Sequence, residues 1–380
     1  MNKKHLFAID GVRFAAALLV VVYHLAFKIF ANPGDDFHRI LPISTDYAGV
    51  AAGQFGWIGV QVFFVISGFV IAYSVQGETI ATYLRRRILR LVPAIWIIVP
   101  ICMIIALFAL QEPVGAVLKT GVRTALFVPI GPWIMGQFWT LPIEIAFYAA
   151  VALLLCAKAI DRLELFGVVL GLVSAAYWFA DAVVHFPSQG QQLVRLCLLQ
   201  HGVFFAAGVV IYCAGTKGLT AARSGFLALM ATAAFFQIGW AAQWENPGVA
   251  PALRTLAPFA IWLALVAVVL LSTLRRPRTP AASNRIQAGV MRLIGLATYP
   301  LYLLHYHVGG LILLVALDWG ASPLASIVLA LVGCVAASLV MAQFAEPALR
   351  AWMRRWPLLS DRRSAVARPA GAGLSVAQDL

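Results

Sequence analysis

With 380 residues, 62% of them hydrophobic and only 11% charged, and a mean hydropathy of +0.89, the chain is too apolar to be a soluble domain. Its formal charge of +13 gathers at the ends of apolar stretches, where an anionic membrane leaflet accounts for it, so no nucleic-acid partner follows from it. The five cysteines, odd in number and dispersed through apolar segments, have no metal-ligand spacing and read as small buried residues.

Ten stretches are long enough to cross about 30 Å of hydrocarbon as helices. They lie at roughly 7–30, 56–76, 91–110, 138–157, 165–186, 193–214, 224–244, 256–274, 292–316 and 323–346. The expected fold is all-α, a polytopic membrane bundle of about ten transmembrane helices. The first stretch is no cleavable signal peptide, because it lacks a small-residue cleavage site and carries Arg13 and His24 in its apolar run.

That first stretch, DGVRFAAALLVVVYH over 10–24, is the most informative. At 100° per residue Arg13 and His24 share a helix face, roughly 16 Å apart along the axis. Ala17 and Val20 lie between them, leaving room for something slender to run along the helix. Asp10 is placed to pair with Arg13 one turn away.

The third stretch opens with YLRRRILRLVP, in which Arg87 and Arg90 share a face. The cluster reads either as a positive-inside anchor or as a phosphate clamp of arginine forks. In the fourth, FWTLPIEIAFY brings Glu144 to about the same depth as His24, about 9 Å below the outer surface. Ionisable groups at membrane depth face an internal cavity and are paired, so the two can meet. A histidine oriented by a carboxylate is a general base; a hydrogen-bonded pair that merely joins two helices is the other reading.

Further along, His201 lies in the outer third of its stretch, where a structural hydrogen bond is the commoner explanation and a place on an acceptor route the rarer one. His305 and His307 are two apart in the ninth stretch, so at most one is expected to face a cavity. Placing the N-terminus inside puts 21 of the 28 Lys and Arg residues in the cytoplasm, which predicts cytoplasmic termini at both ends. Residues 1–350 form the expected integral membrane domain, and 351–380 a short, basic, disordered cytoplasmic tail.

In family order, these segments resemble the acyltransferase family 3 of integral membrane proteins. Arg13 and His24, ten residues between them, match its first-helix signature; GVQVFFVISGF, with Ser67, matches its SGF segment. Arg87 and Arg90 match its R-x-x-R motif, FWTLPIEIAFY its tryptophan-to-FY segment, and ATYPLYLLHYH its aromatic segment ending in a histidine, here His305. Many members have an acidic residue where Gln61 stands, and the esterase-like domain that some members append finds no room here. On the strength of the resemblance, His305 is favoured over His307 as the cavity-facing residue.

The resemblance implies an enzyme of the cell (inner) membrane that moves an acyl group, usually acetyl, from cytoplasmic acyl-CoA to a hydroxyl of a sugar, polysaccharide or lipid-linked glycan. Joined to the geometry, it predicts that Arg87, Arg90 and Arg13 bind the donor's phosphates and that the pantetheine arm passes Ala17 and Val20. His24, supported by Glu144, is the expected base, and an acyl-histidine intermediate is the variant. Ser67, Tyr148, Tyr302 and His305 are the candidates for contacting substrate or the developing oxyanion. No metal is expected. A small-molecule natural product as acceptor, or a proton-coupled transporter, are the alternatives.

Overall fold

The computed structural model describes residues 3–42, 49–186, 191–275 and 285–359. The inner part of the predicted basic loop, 276–284, and the tail from 360 lie outside them. Among the described residues no strand forms, and nine helices are long and apolar enough to cross a membrane.

In chain order the helices are α1 (Lys3–Val22), α2 (Gly59–Ser74), α3 (Ile80–Phe108), α4 (Val114–Ala125) and α5 (Thr140–Cys156). They continue as α6 (Leu163–Val184), α7 (Gln191–Leu196), α8 (Gly202–Lys217), α9 (Ala221–Glu245) and α10 (Pro251–Leu274). The last three are α11 (Arg285–Asp318), α12 (Pro323–Val340) and α13 (Glu346–Met353). The outward faces carry large apolar side chains such as Phe108, Leu153 and Val183, a surface made for lipid.

Three elements depart from the sequence expectation. The predicted sixth span is broken: α7 ends at Leu196, Leu198 takes a left-handed backbone at φ 61°, and α8 begins at Gly202. Carbonyls freed by the break are caught from α6, where Ser174 Oγ donates to Leu199 O at 2.6 Å and Trp178 Nε1 to Gln200 O at 2.9 Å. Irregular backbone at membrane depth is tolerable when it is buried in protein and satisfied in this way. Second, α4 was not foreseen as an element. Its apolar residues recur at helical spacing along one side, and at 12 residues it is too short to span the membrane. It packs beside α3, where Trp96 Nε1 donates to Ala125 O at 3.1 Å.

Third, order continues past 350. A π-helical turn, Met341–Ala345, redirects the chain into α13, and Met353 and Leu359 bury themselves against Leu89 of α3. The rings of Trp352 and Trp356 meet edge to face beyond them, with Trp356 6.1 Å from Trp96. Four bulky apolar groups within eight residues provide enough buried area to hold the segment down.

At the centre, α8 is buried along most of its length between α2, α6, α9 and α10. Its crossing with α2 brings backbone against backbone. A Cβ on Gly68 would stand 2.1 Å from Phe205 O, and one on Gly208 would stand 2.0 Å from Val65 O. The glycine of the SGF segment is therefore a packing requirement, since small residues let membrane helices approach this closely.

Candidate active site

Two adjoining cavities open within the bundle, the inner lined from α1, α2, α3, α5 and α11, the outer mainly from α2, α9, α11 and the segments that follow α1 and precede α5. The inner one is slender, about 50 Å³, and holds Arg13, Arg90, Ser67 and Glu144. The outer one is wider, about 510 Å³, and holds His24 among aromatic and polar side chains. Val60 and Tyr302 line both, so this pair is the wall where they meet.

His24 sits where the first helix widens. Residues Tyr23–Lys28 form a π-helical turn in which Ile29 N–H bonds back to His24 O. Such turns in an α-helix cluster at functional sites. His24 Nδ1 lies 2.9 Å from Val20 O and 3.3 Å from His305 Nε2. His305 Nδ1 in turn lies 2.8 Å from Tyr302 O. Carbonyl oxygens only accept, so each Nδ1 carries the proton; His305 Nε2 is then an acceptor for His24, and His24 Nε2 is left with a free lone pair.

The predicted meeting of His24 with Glu144 does not occur. Glu144 Oε1 accepts from Ser67 Oγ at 2.8 Å and from Tyr148 Oη, and lies 4.0 Å from Arg90 Nη2. It belongs to the inner cavity and His24 to the outer. Equal depth on two helices fixes height, not facing. The partner that orients His24 is instead His305, which is fully buried behind it, while His307 lines the outer cavity. The expectation that His305 would be the one to face the cavity is thereby reversed, because His24 covers it.

Ser67 and Tyr148 spend their hydroxyls on Glu144 and stand away from His24. Tyr302 Oη donates to Gln137 O at 3.1 Å and lies 3.0 Å from Thr140 Oγ1, within the shared wall. Among the three hydroxyl candidates for contacting the reacting groups, it alone borders both cavities.

The arginines divide as well. Arg13 pairs with Asp10 at 3.7 Å, the i, i+3 contact expected of them, and borders the inner cavity with Arg90. Arg87 borders neither cavity. Its guanidinium lies 5.7 Å from the Tyr83 ring and 5.5 Å from that of Tyr148, and Nη2 donates to Ser74 Oγ at 3.4 Å. Arg87 thus braces Tyr148, which braces Glu144, which faces Arg90. Ala17 is sealed in packing and borders neither cavity, so the slender path runs along Phe63, Val60 and Tyr302.

The outer cavity has features the sequence reading passed over. Trp57, Trp133, Trp139, Trp240 and Trp244 line it, dispersed over distant stretches of sequence that only the fold collects. Burial pushes the Asp35 carboxyl above the ordinary aspartate range, against hydrogen bonds from Tyr306 and from the Phe37 and His38 amides. Among the described residues no three His, Cys, Asp or Glu side chains gather into a metal-ligand set.

The family model described as "Acyltransferase domain" matches residues 6–343. A protein named acyltransferase MdmB, from Streptomyces mycarofaciens, is 25% identical over 383 residues, spanning 92% of this chain and 93% of its own. No solved structure matches.

Proposed function

Since the chain belongs to the acyltransferase 3 family and is an integral membrane enzyme that transfers acyl groups, we propose that it carries acetyl from acetyl-CoA on the cytoplasmic side to a hydroxyl of a sugar or exported glycan. The membrane is the cell's inner membrane, and both termini face the cytoplasm. The observation that carries this reading is the pair of cavities meeting at Val60 and Tyr302, one cationic and narrow, the other wide and bearing His24.

Arg13 and Arg90 hold donor phosphate at the inner cavity, where arginine forks suit phosphate oxygens. The unbranched pantetheine arm suits the slender passage, and the thioester comes to rest at the shared wall. His24 Nε2 takes the proton of the acceptor hydroxyl as its oxygen attacks the thioester carbonyl. Tyr302, at the shared wall, supplies a donor for the oxyanion that develops there once its hydroxyl turns from Gln137 O. The new carbon–oxygen bond forms, the carbon–sulfur bond breaks, and His24 returns the proton to the departing sulfur. His305 holds His24 in the tautomer that keeps Nε2 free.

Labelled acetyl-CoA supplied to membranes bearing wild-type protein or His24→Ala, followed by mass spectrometry of glycans and lipid-linked sugars, tests the reading. Label on a carbohydrate only with wild type supports it. Equal transfer by both removes His24 from the chemistry, and label on a non-carbohydrate product removes the sugar acceptor.

A further inference from the structure

Buried polar groups are almost always hydrogen-bonded, so orphans beside a cavity point to something that fills it. Three side chains lining the outer cavity break the rule. His201 is 3% exposed and neither ring nitrogen has a partner; Gln237 is 1% exposed and its Oε1 has none; His307 is 4% exposed and its Nδ1 has none. The structural hydrogen bond expected of His201 is absent. None of the three belongs to the His24–His305 pair.

Their surroundings are flat and apolar. The His201 ring lies 5.5 Å from that of Trp139 and 4.9 Å from that of Phe64. On α9, Gln237, Trp240, Ala241 and Trp244 fall at i, i+3, i+4 and i+7 and all line the cavity, so one face of the helix is turned to it. Aromatic surfaces interleaved with unsatisfied donors and acceptors fit a ring with an apolar face and a rim of hydroxyls.

Charge narrows the class further. Asp35, Asp36, Glu112 and Glu245 line the cavity against Lys28 and Arg195 alone. Lys28 is already paired with Glu245 at 3.2 Å. Arg195 lies over Trp139, 5.1 Å from its ring, and donates from Nε to Gln200 Oε1 at 3.1 Å. An anionic acceptor would meet excess carboxylate and two cations already engaged.

We propose that His201 and Gln237, with Trp139 and Trp240 as platforms, form the acceptor subsite, and that it takes an uncharged ring-shaped polyol in preference to an acidic one. This rests on the reading of the outer cavity as the acceptor side. Its test has two arms. In a sugar-free detergent, tryptophan fluorescence of purified protein is titrated with a neutral methyl hexoside and with the corresponding methyl hexuronide. The neutral glycoside is expected to change the emission, the hexuronide to do so at least roughly tenfold more weakly, equivalent to about 1.4 kcal/mol. His201→Phe and Gln237→Leu, which conserve bulk, are expected to weaken the neutral response by a similar factor. Equal responses to both sugars, no response to either, or a neutral response that survives both variants overturns the proposal.

The second arm follows labelled acetyl transfer in native membranes. Both variants are expected to raise the acceptor KM while leaving acetyl-CoA binding at its wild-type strength, a split that misfolding would not produce. Wild-type acceptor KM in both variants overturns the subsite. Loss of transfer by the wild type itself, with the fluorescence response intact, overturns the acyl-transfer reading and leaves the subsite standing.

Discussion

At the scale of single residues the roles proposed for His24 and His305 are unequal. His24→Ala removes the free lone pair, and acyl transfer is expected to fall by about 10²–10⁴-fold, the range for a lost general base. His305→Ala leaves that lone pair but frees the ring to turn, so a smaller fall in kcat is expected. His305→Gln, whose amide oxygen can accept the His24 Nδ1 proton, should recover part of it, which a structural role alone would not produce. Initial rates in membranes, with kcat and KM separated, check both. The arginines give a second contrast. Arg90→Gln is expected to raise KM for acetyl-CoA roughly tenfold or more, as befits a charged hydrogen bond of about 1.5–3 kcal/mol. Arg87→Gln, one step removed behind Tyr148, is expected to act mainly on kcat and on thermal stability. Equal KM effects from both would refute the division of labour. The Arg13 and His24 spacing could be read from helix periodicity, whereas the separation of His24 from Glu144 could not, because periodicity says nothing of how α5 is rotated against α1.

Among the elements, the α2–α8 crossing is the most exacting. Gly68→Ala sets a methyl group against a backbone carbonyl that has no rotamer with which to yield, and destabilisation of at least about 1–3 kcal/mol is expected. A depressed melting temperature in detergent micelles measures it; an unchanged one would mean that the crossing relaxes without cost. Gly77, which has nothing within 4 Å but a positive φ of 72°, is the control in which strain is conformational only. Helix type and approximate position were legible because apolar runs of this length admit few alternatives. The break between α7 and α8 was not, since Leu196 to Leu199 is as apolar as any helix and the break is held by Ser174 and Trp178, over twenty residues upstream. The ordering of 351–359 was hidden for a similar reason. It depends on Leu89, more than 250 residues away.

For the whole molecule, the question is how many times the chain crosses. Nine long helices alone would put the two ends on opposite faces; we propose that α8, a shorter apolar helix, makes a tenth crossing. Its 16 residues rise about 24 Å, short for a helix in contact with lipid. Encased by its neighbours, it has no need to match the full thickness. Reporter fusions at both ends are accordingly expected to score as cytoplasmic, and a reporter after α7 as external. A C-terminal reporter scoring as external would refute the ten-crossing topology. Under that proposed topology the basic inner cavity would face the cytoplasm and the carboxylate-rich outer cavity the other side.

Composition and hydropathy alone determined that this is a helical membrane protein, because 62% hydrophobic residues in runs of about twenty have no other stable arrangement. The order of short motifs determined the chemistry to look for. Only the tertiary structure decided which residues meet: His24 against His305 instead of Glu144, Arg90 in a cavity that Arg87 does not border, and five tryptophans from three distant segments around one chamber. Periodicity records where a side chain stands on its own helix, but the rotation and crossing of helices arise from packing between residues hundreds of positions apart, and a site is made of those crossings.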